Sequence, residues 1–173
     1  MRKIVKYAII LIIGFIFGYL LVNIIGGYSD KKEAEARIQT LPEVDFLSFY
    51  GDSVSLHSFD PTKPLLLVYF HPDCEHCQYE AQAISQTSHA LNECQLVMVT
   101  ADDSLQRVKR FCNTNQLWEV NNIEVLIDTE NKFKPTFGKA VIPSIYIYEN
   151  RKLTQQFLGE TKIESILNAL NNN

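Results

Sequence analysis

The chain has 173 residues, of which 46% are hydrophobic, and its formal net charge at pH 7 is −4. This length can bury the core of one globular domain and leave one additional segment outside it. The weak negative charge gives no reason to expect nucleic-acid binding.

An uncharged apolar run near the amino terminus, residues 7–25, predicts a transmembrane helix that contacts membrane lipid. As a helix it would extend over about 28 Å, which is enough to cross a bilayer. The run is longer than the apolar region of a signal peptide, and no convincing cleavage site follows closely, so we expect an uncleaved signal anchor. Gly14 and Gly18 have the spacing that lets two such helices pack closely, which leaves a weak homodimer open.

The basic residues on the two sides of this run are nearly balanced, so that charge alone leaves the orientation almost undecided. The short flank, residues 1–6, and the paired cysteines downstream favour a cytoplasmic amino terminus. The domain would then lie on the extracytoplasmic side of the cytoplasmic (inner) membrane, facing the periplasm where one exists. Residues 26–40 are expected to form a polar linker, and residues 41–173 the folded domain.

Two cysteines at the start of a predicted helix are the most specific feature of the chain. An apolar, β-prone run at residues 65–70 predicts a strand, and Cys74 and Cys77 follow it after a short turn. A cysteine in the first turn of a helix faces unpaired N–H groups and the positive end of the helix dipole, which favour a thiolate. Cys74 is therefore the candidate nucleophile, and Cys77, three residues on, the candidate resolving thiol.

The charged residues around this pair act in opposite directions. Protonated His71 or His76 would stabilise a thiolate, whereas Glu75 opposes it, and the alternative for each histidine is exposure without a special role. Glu80 borders the apolar face of the helix, where it either exchanges protons with Cys77 through a raised pKa or is partly exposed. We expect only a modest net stabilisation of the thiolate, which favours donating electrons over oxidising substrates.

The rest of the chain alternates strands and helices. A hairpin is expected around residues 51–52, strands at 94–100, 123–127, 141–148 and 153–158, a broken helix or loop at 131–138, and helices at 77–91, 103–112 and 161–170. Thr161 is expected to cap the last helix. Cys94 and Cys112 are expected at the end of the sheet away from Cys74, where a structural disulfide and two separate buried thiols are both open.

This order of parts resembles the thioredoxin superfamily over about residues 41–170. The run Cys74-Glu75-His76-Cys77 with Glu80, the preceding hairpin and the anchor are most similar to its membrane-anchored extracytoplasmic thiol-disulfide oxidoreductases, which include cytochrome c maturation thiol reductases. The resemblance implies a thioredoxin-like three-layer α/β/α sandwich. It would have a mixed central sheet and an N-terminal β-hairpin extension, preceded by one transmembrane helix.

The resemblance also implies roles for residues outside the cysteine pair. It implies that Pro143 follows a cis peptide bond and faces the cysteines, that the backbone of Ile142 pairs with substrate, and that Glu80 is linked to the active-site thiols. The chain departs from the family at Asp73, where an aromatic residue is usual, and at Val68, which replaces the buried aspartate of cytoplasmic thioredoxins.

The sequence thus predicts a membrane-anchored thiol:disulfide oxidoreductase that reduces disulfides of exported proteins and receives electrons from a membrane donor. We expect no dissociable cofactor and no metal. Two alternatives stay open: a metallochaperone that uses the cysteines with His71 and His76, and a non-catalytic assembly or chaperone module that keeps the fold. Peroxide reduction would require a threonine-containing loop around the nucleophile, which residues 71–74 do not provide.

Overall fold

A mixed sheet of seven strands forms the centre of the computed structural model, which describes residues 7, 12, 14–21, 32–138 and 141–171. The strand order is β2-β1-β5-β4-β3-β6-β7. The strands are β1 (Asp45–Ser48), β2 (Ser53–Ser55), β3 (Leu65–Tyr69), β4 (Gln95–Thr100), β5 (Ile123–Ile127), β6 (Ser144–Glu149) and β7 (Lys152–Leu158). β3 is antiparallel to β6, whereas β3, β4 and β5 run parallel to one another. The connections from β3 to β4 and from β4 to β5 therefore require crossover helices.

Helices cover both faces of this sheet. They are α1 (Glu75–Gln86), α2 (Leu105–Thr114), α3 (Phe133–Phe137) and α4 (Ile163–Asn171). Side chains alternate along β3, so that Leu66 and Val68 pack with α1, α2 and α4 on one face, whereas Leu67 and Tyr69 pack with α3 on the other. The predicted thioredoxin-like sandwich with a mixed sheet is therefore confirmed.

The predicted amino-terminal hairpin forms one edge of the sheet. β1 and β2 are antiparallel, with Phe46 opposite Val54, and β1 continues the sheet by pairing with β5 through Leu47 and Ile127. Because Phe46 is buried against Phe133 of α3, the hairpin belongs to the hydrophobic core.

The predicted polar linker is wrong at its carboxyl end, where the chain packs against the domain. Residues 32–37 are helical, and Ile38 is 1% exposed. The hydroxyl of Tyr148 donates to the carbonyl of Ile38 at 3.1 Å. A Cβ at Gly138, whose φ is +83°, would lie 2.8 Å from the Cβ of Ala34, so this close approach requires glycine. The folded domain therefore begins before residue 41, because apolar residues interrupt the polar composition of the linker.

Only part of the predicted transmembrane segment lies within the described residues. Residues 7, 12 and 14–21 are helical, whereas residues 8–11, 13 and 22–25, like the flank at 1–6, lie outside the described part. Among the described residues, no helix is both long and apolar enough to span a bilayer. The large apolar side chains there are exposed, with Phe15 at 78%.

Cys94 and Cys112 are two separate buried thiols in this structure. Cys94 directly precedes β4, and Cys112 lies in the last turns of α2 with no exposed surface. Neither is in a disulfide, so of the two alternatives for this pair the structure shows the separate thiols. Burial raises the pKa of Cys112 to about 12, which keeps this thiol protonated at neutral pH.

Candidate active site

The cysteine pair lies where β3 turns into α1, as the sequence predicts. The chain leaves β3 at Tyr69, and Cys74 is the N-cap residue of α1, with an extended φ of −85° and ψ of 118°. Its backbone N–H donates to the carbonyl of His71 at 3.1 Å, which closes the intervening turn. Cys74 is partly exposed and Cys77 is 2% exposed, so one thiol can meet a partner and the other lies behind it.

The buried thiol is held in its protonated form. Burial raises the pKa of Cys77 well above its usual range, the neighbouring Cys74 side chain and Glu80 raise it further, and the backbone of His71 partly opposes them. The side chain of Cys74 is close enough to contribute to this raised pKa, so the two thiols are neighbours. Cys77 therefore needs a group that removes its proton before it can attack.

Glu80 is a buried carboxyl group on the same helix. It is 2% exposed, which rules out the edge position that the sequence left open. Its Oε1 accepts the backbone N–H of Thr161 at 2.8 Å, while Oε2 is buried without a hydrogen-bond partner among the described residues. Burial raises the pKa of Glu80 to about 7, against the opposing hydrogen bond from Thr161. A carboxyl group with this pKa exchanges protons readily at neutral pH.

The peptide bond between Ile142 and Pro143 is cis, as the resemblance implied. Ser144, the first residue of β6, pairs with Tyr69, the last of β3, so Pro143 lies at the end of the sheet from which the chain turns to Cys74. Ile142 and Cys74 both pack against the core cluster that contains Cys77. The pairing of Ile142 with a substrate backbone stays a prediction.

A segment that the sequence did not predict for this site, residues 159–161, connects its parts. The N–H of Gly159 donates to the carbonyl of Pro143 at 2.8 Å, and the side chain of Glu160 bonds to Nδ1 of His76. Thr161 does not cap the last helix, which begins at Ile163; its N–H bonds Glu80 and its hydroxyl donates to the carbonyl of Gly159. The position of Glu160 after a glycine that ends β7 is the one available sequence signal.

The sequence suggested that the two histidines act on a thiolate. In the structure they contact other groups. His76 is paired with Glu160. His71 accepts the N–H of Asp73 at Nδ1 (3.2 Å), and its Nε2 lies 3.8 Å from a carboxylate oxygen of Asp102. Stabilisation of the thiolate by His71 or His76, and its destabilisation by Glu75, therefore stay predictions.

Asp102 and Arg107 form a second charged pair beside the turn. Arg107 donates to both carboxylate oxygens of Asp102 at 2.8 Å. Although burial raises the pKa of Asp102, hydrogen bonds from Arg107 and Ser104 lower it below its usual value. The carboxylate thus remains charged and fixes the start of α2 beside His71.

The ligand set expected of a metallochaperone is not brought together. Among the described residues, the metal-ligating atoms that lie within 4.8 Å of one another belong to His71, Asp73 and Asp102, without either cysteine. Both oxygens of Asp102 already accept hydrogen bonds from Arg107. The described residues therefore bring a dithiol and a carboxyl group together on α1.

Comparisons with known proteins identify the family of this chain and structures with a similar fold. The model of the AhpC/TSA family matches residues 38–156, and no curated protein matches the chain. A secreted Mycobacterium tuberculosis disulfide oxidoreductase homologous to E. coli DsbE is a similar structure, with a TM-score of 0.66, 16% identity and coverage of 80% of this chain and 98% of that one.

Two further structures show the same fold. A DsbF homologue from Corynebacterium diphtheriae has a TM-score of 0.66 at 18% identity and covers 78% of this chain and 86% of that one. StoA from Bacillus subtilis has a TM-score of 0.59 at 15% identity, and the match covers 76% of this chain and 98% of StoA. At these identities the comparison establishes the fold.

Proposed function

Since this chain belongs to the AhpC/TSA family, we propose that it is a thiol-disulfide oxidoreductase whose reactive pair is Cys74 and Cys77. One observation carries the proposal: a partly exposed thiol at a helix start lies against a buried thiol, and a carboxyl oxygen of Glu80 on the same helix has no hydrogen-bond partner within the described part of the chain. In this arrangement Cys74 can attack a substrate disulfide, Cys77 can resolve the mixed disulfide, and Glu80 can accept a proton.

The proposed reaction is two successive exchanges. The thiolate of Cys74 attacks one sulfur of a substrate disulfide, which forms a mixed disulfide and releases the other substrate sulfur as a thiolate. Glu80 in its carboxylate form takes the proton of Cys77, whose sulfur then attacks that of Cys74. The second substrate sulfur leaves and is protonated. The substrate has gained two electrons, and the protein holds a disulfide between Cys74 and Cys77.

The proposed direction is reduction of exported proteins, with electrons returned by a membrane donor. Two observations support it: negative charge at Asp73 and Glu75 beside the pair, and the pairing of His76 with Glu160 in place of a thiolate. Both leave the thiolate less stabilised, which makes a dithiol a better reductant. Secreted proteins of the same fold, such as the one from M. tuberculosis, are compatible with an extracytoplasmic site of action.

We further propose that residues 7–25 anchor the domain in the cytoplasmic membrane, with Gly14 and Gly18 on a face where two helices can meet. The uncharged run and the exposed apolar side chains of residues 14–21 support this. In intact cells, a membrane-impermeant maleimide is expected to label Cys74 to the same extent as in lysed cells. Labelling that appears only after lysis would contradict the extracytoplasmic position.

Trapping of mixed disulfides tests the proposed chemistry. In a Cys77→Ser variant the second exchange cannot occur, so Cys74 should remain joined to its substrates in complexes that dithiothreitol releases. The double variant Cys74→Ser/Cys77→Ser is the matched control and should capture none. Wild-type protein should also reduce a model disulfide in a cycle driven by dithiothreitol.

Two results would contradict the proposal. If the Cys77→Ser variant traps no partner and the wild-type protein reduces no disulfide, the chain would be a non-catalytic module that keeps the fold. Faster turnover with hydrogen peroxide than with a disulfide would instead indicate a peroxidase.

A further inference from the structure

Segment 159–161 contacts the helix of the cysteines and the proline turn at the same time. Its three consecutive residues bond Pro143, His76 and Glu80 respectively. The pairing of Glu160 with His76 is the one of these contacts that joins two titratable side chains. Both side chains are largely solvent-exposed, at 65% for His76 and 44% for Glu160, so fold stability requires little from the pair.

Glu160 and His76 have opposite effects on the buried carboxyl group. Besides burial, the negative charge of Glu160 raises the pKa of Glu80, and the positive charge of His76 lowers it. Glu80 in turn raises the pKa of Cys77, next to Cys74. These are the charged and titratable groups that act on Glu80, from α1 and from the segment after β7.

We propose that Glu160 is a positioning residue that binds His76 away from the thiols and places a negative charge beside Glu80, which makes the dithiol more reducing. The proposal rests on the function proposed above and assigns the control of its redox potential. A histidine between two active-site cysteines can stabilise the thiolate of the first when it is protonated and free. Paired with Glu160, its charge is neutralised, and the reduced form loses that stabilisation.

Removing the charge of Glu160 should therefore favour both the thiolate of Cys74 and the carboxylate of Glu80. With Glu160→Gln, a negative charge beside Glu80 is lost, and the ring of His76 is released from its anionic partner and can approach Cys74. The reduced dithiol becomes more stable, so the protein becomes a weaker reductant, and Glu80 releases its proton at lower pH. A residue that only stabilised the fold would change neither property.

The experiment measures the equilibrium between the protein and glutathione redox buffers for four proteins. They are wild type, Glu160→Gln, the charge-retaining Glu160→Asp, and Glu164→Gln. Glu164 is the matched control because it is an exposed acid in α4, the helix that follows segment 159–161. Replacing it with Gln changes the net charge of the protein by the same amount as Glu160→Gln. We expect Glu160→Gln to shift the equilibrium toward the dithiol at least threefold, or about 14 mV for two electrons.

Glu160→Asp and Glu164→Gln should stay within about twofold of wild type. If Glu160→Gln also stays within that limit, or if Glu164→Gln shifts equally, Glu160 has no specific role and the proposal is overturned. If wild-type protein forms no intramolecular disulfide in these buffers, the proposed function fails instead.

A second measurement decides the role of Glu160 independently of redox activity. Carbon-13 NMR of the Glu80 carboxyl group in wild type and Glu160→Gln gives its titration directly. We expect the pKa of Glu80 to fall by at least about 0.5 in the variant, since the repelling charge of Glu160 is lost. An unchanged pKa would overturn the proposal.

Discussion

Replacing Glu80 with Gln is expected to increase the free energy of unfolding at pH 8 by about 3 kcal/mol. At that pH the carboxyl group is charged, and its Oε2 is buried without a hydrogen-bond partner among the described residues. Glutamine has nearly the same volume and no charge, and its oxygen can keep the bond from Thr161. The variant therefore removes the cost of a buried charge without opening a cavity.

The sign of the pH dependence follows from the direction of the shift. The ordinary pKa of the group is 4.5, and burial raises it to about 7 in the folded protein. Between these values the folded state holds a proton that the unfolded chain has released, so the free energy of unfolding falls as pH rises. Below the ordinary pKa both states are protonated and the folded protein has its full stability. Above the raised pKa the loss is complete and constant.

Urea unfolding at pH 4 and pH 8 measures this difference. Wild type should lose stability between the two pH values relative to Glu80→Gln, whereas Glu164→Gln, which removes an exposed acid, should follow wild type. Parallel changes in wild type and Glu80→Gln would show that the pKa of Glu80 is the same in the folded and unfolded states, against its raised pKa.

The same variant should lose activity while it gains stability. Glutamine cannot accept the proton of Cys77, so the second exchange should slow by about 100-fold at neutral pH, and mixed disulfides should accumulate. The opposite signs of the two effects separate a proton-transfer role from a structural one. Glu80→Asp is a poor substitute control, because its shorter side chain would break the bond to Thr161.

Local patterns in the sequence are sufficient to predict the dithiol and most of the sheet. The run before Cys74 is apolar throughout because β3 is buried on both faces, and the following residues have helical spacing, so each signal lies within a few positions. The cis bond at Pro143 also matches a resemblance that local residues carry. The hairpin is marked by Gly51, whose φ of +93° suits a turn.

The surroundings of the dithiol could not be predicted in this way, because they are formed by residues far apart in the chain. Glu160 reaches His76 across 84 positions, and Glu80 meets Thr161 across 81. Thr161 has the composition of a helix cap, and only the tertiary structure shows that its N–H serves the buried carboxyl group. The linker boundary was misplaced for a similar reason, since the burial of Ile38 depends on a distant tyrosine, Tyr148.

At pH 7, iodoacetamide is expected to modify Cys74 at least about 1,000-fold faster than Cys77 in the reduced protein. The reagent attacks thiolates, and each unit by which a pKa is raised lowers the thiolate fraction tenfold. The pKa of Cys77 is raised strongly by its burial, and the sulfur is shielded from solvent. Cys94 and Cys112, both buried with raised pKa values, should also react more slowly than Cys74.

Mass spectrometry of peptides after timed quenching measures the four rates in one experiment. In urea all four cysteines should react at similar rates, which shows that the folded structure causes the difference. In a Cys74→Ser variant Cys77 should stay slow, because burial contributes more to its raised pKa than its neighbour does. If Cys77 reacts in the folded wild type as fast as Cys74, it is not the protected resolving thiol, and the two sulfurs do not have the separate roles assigned to them.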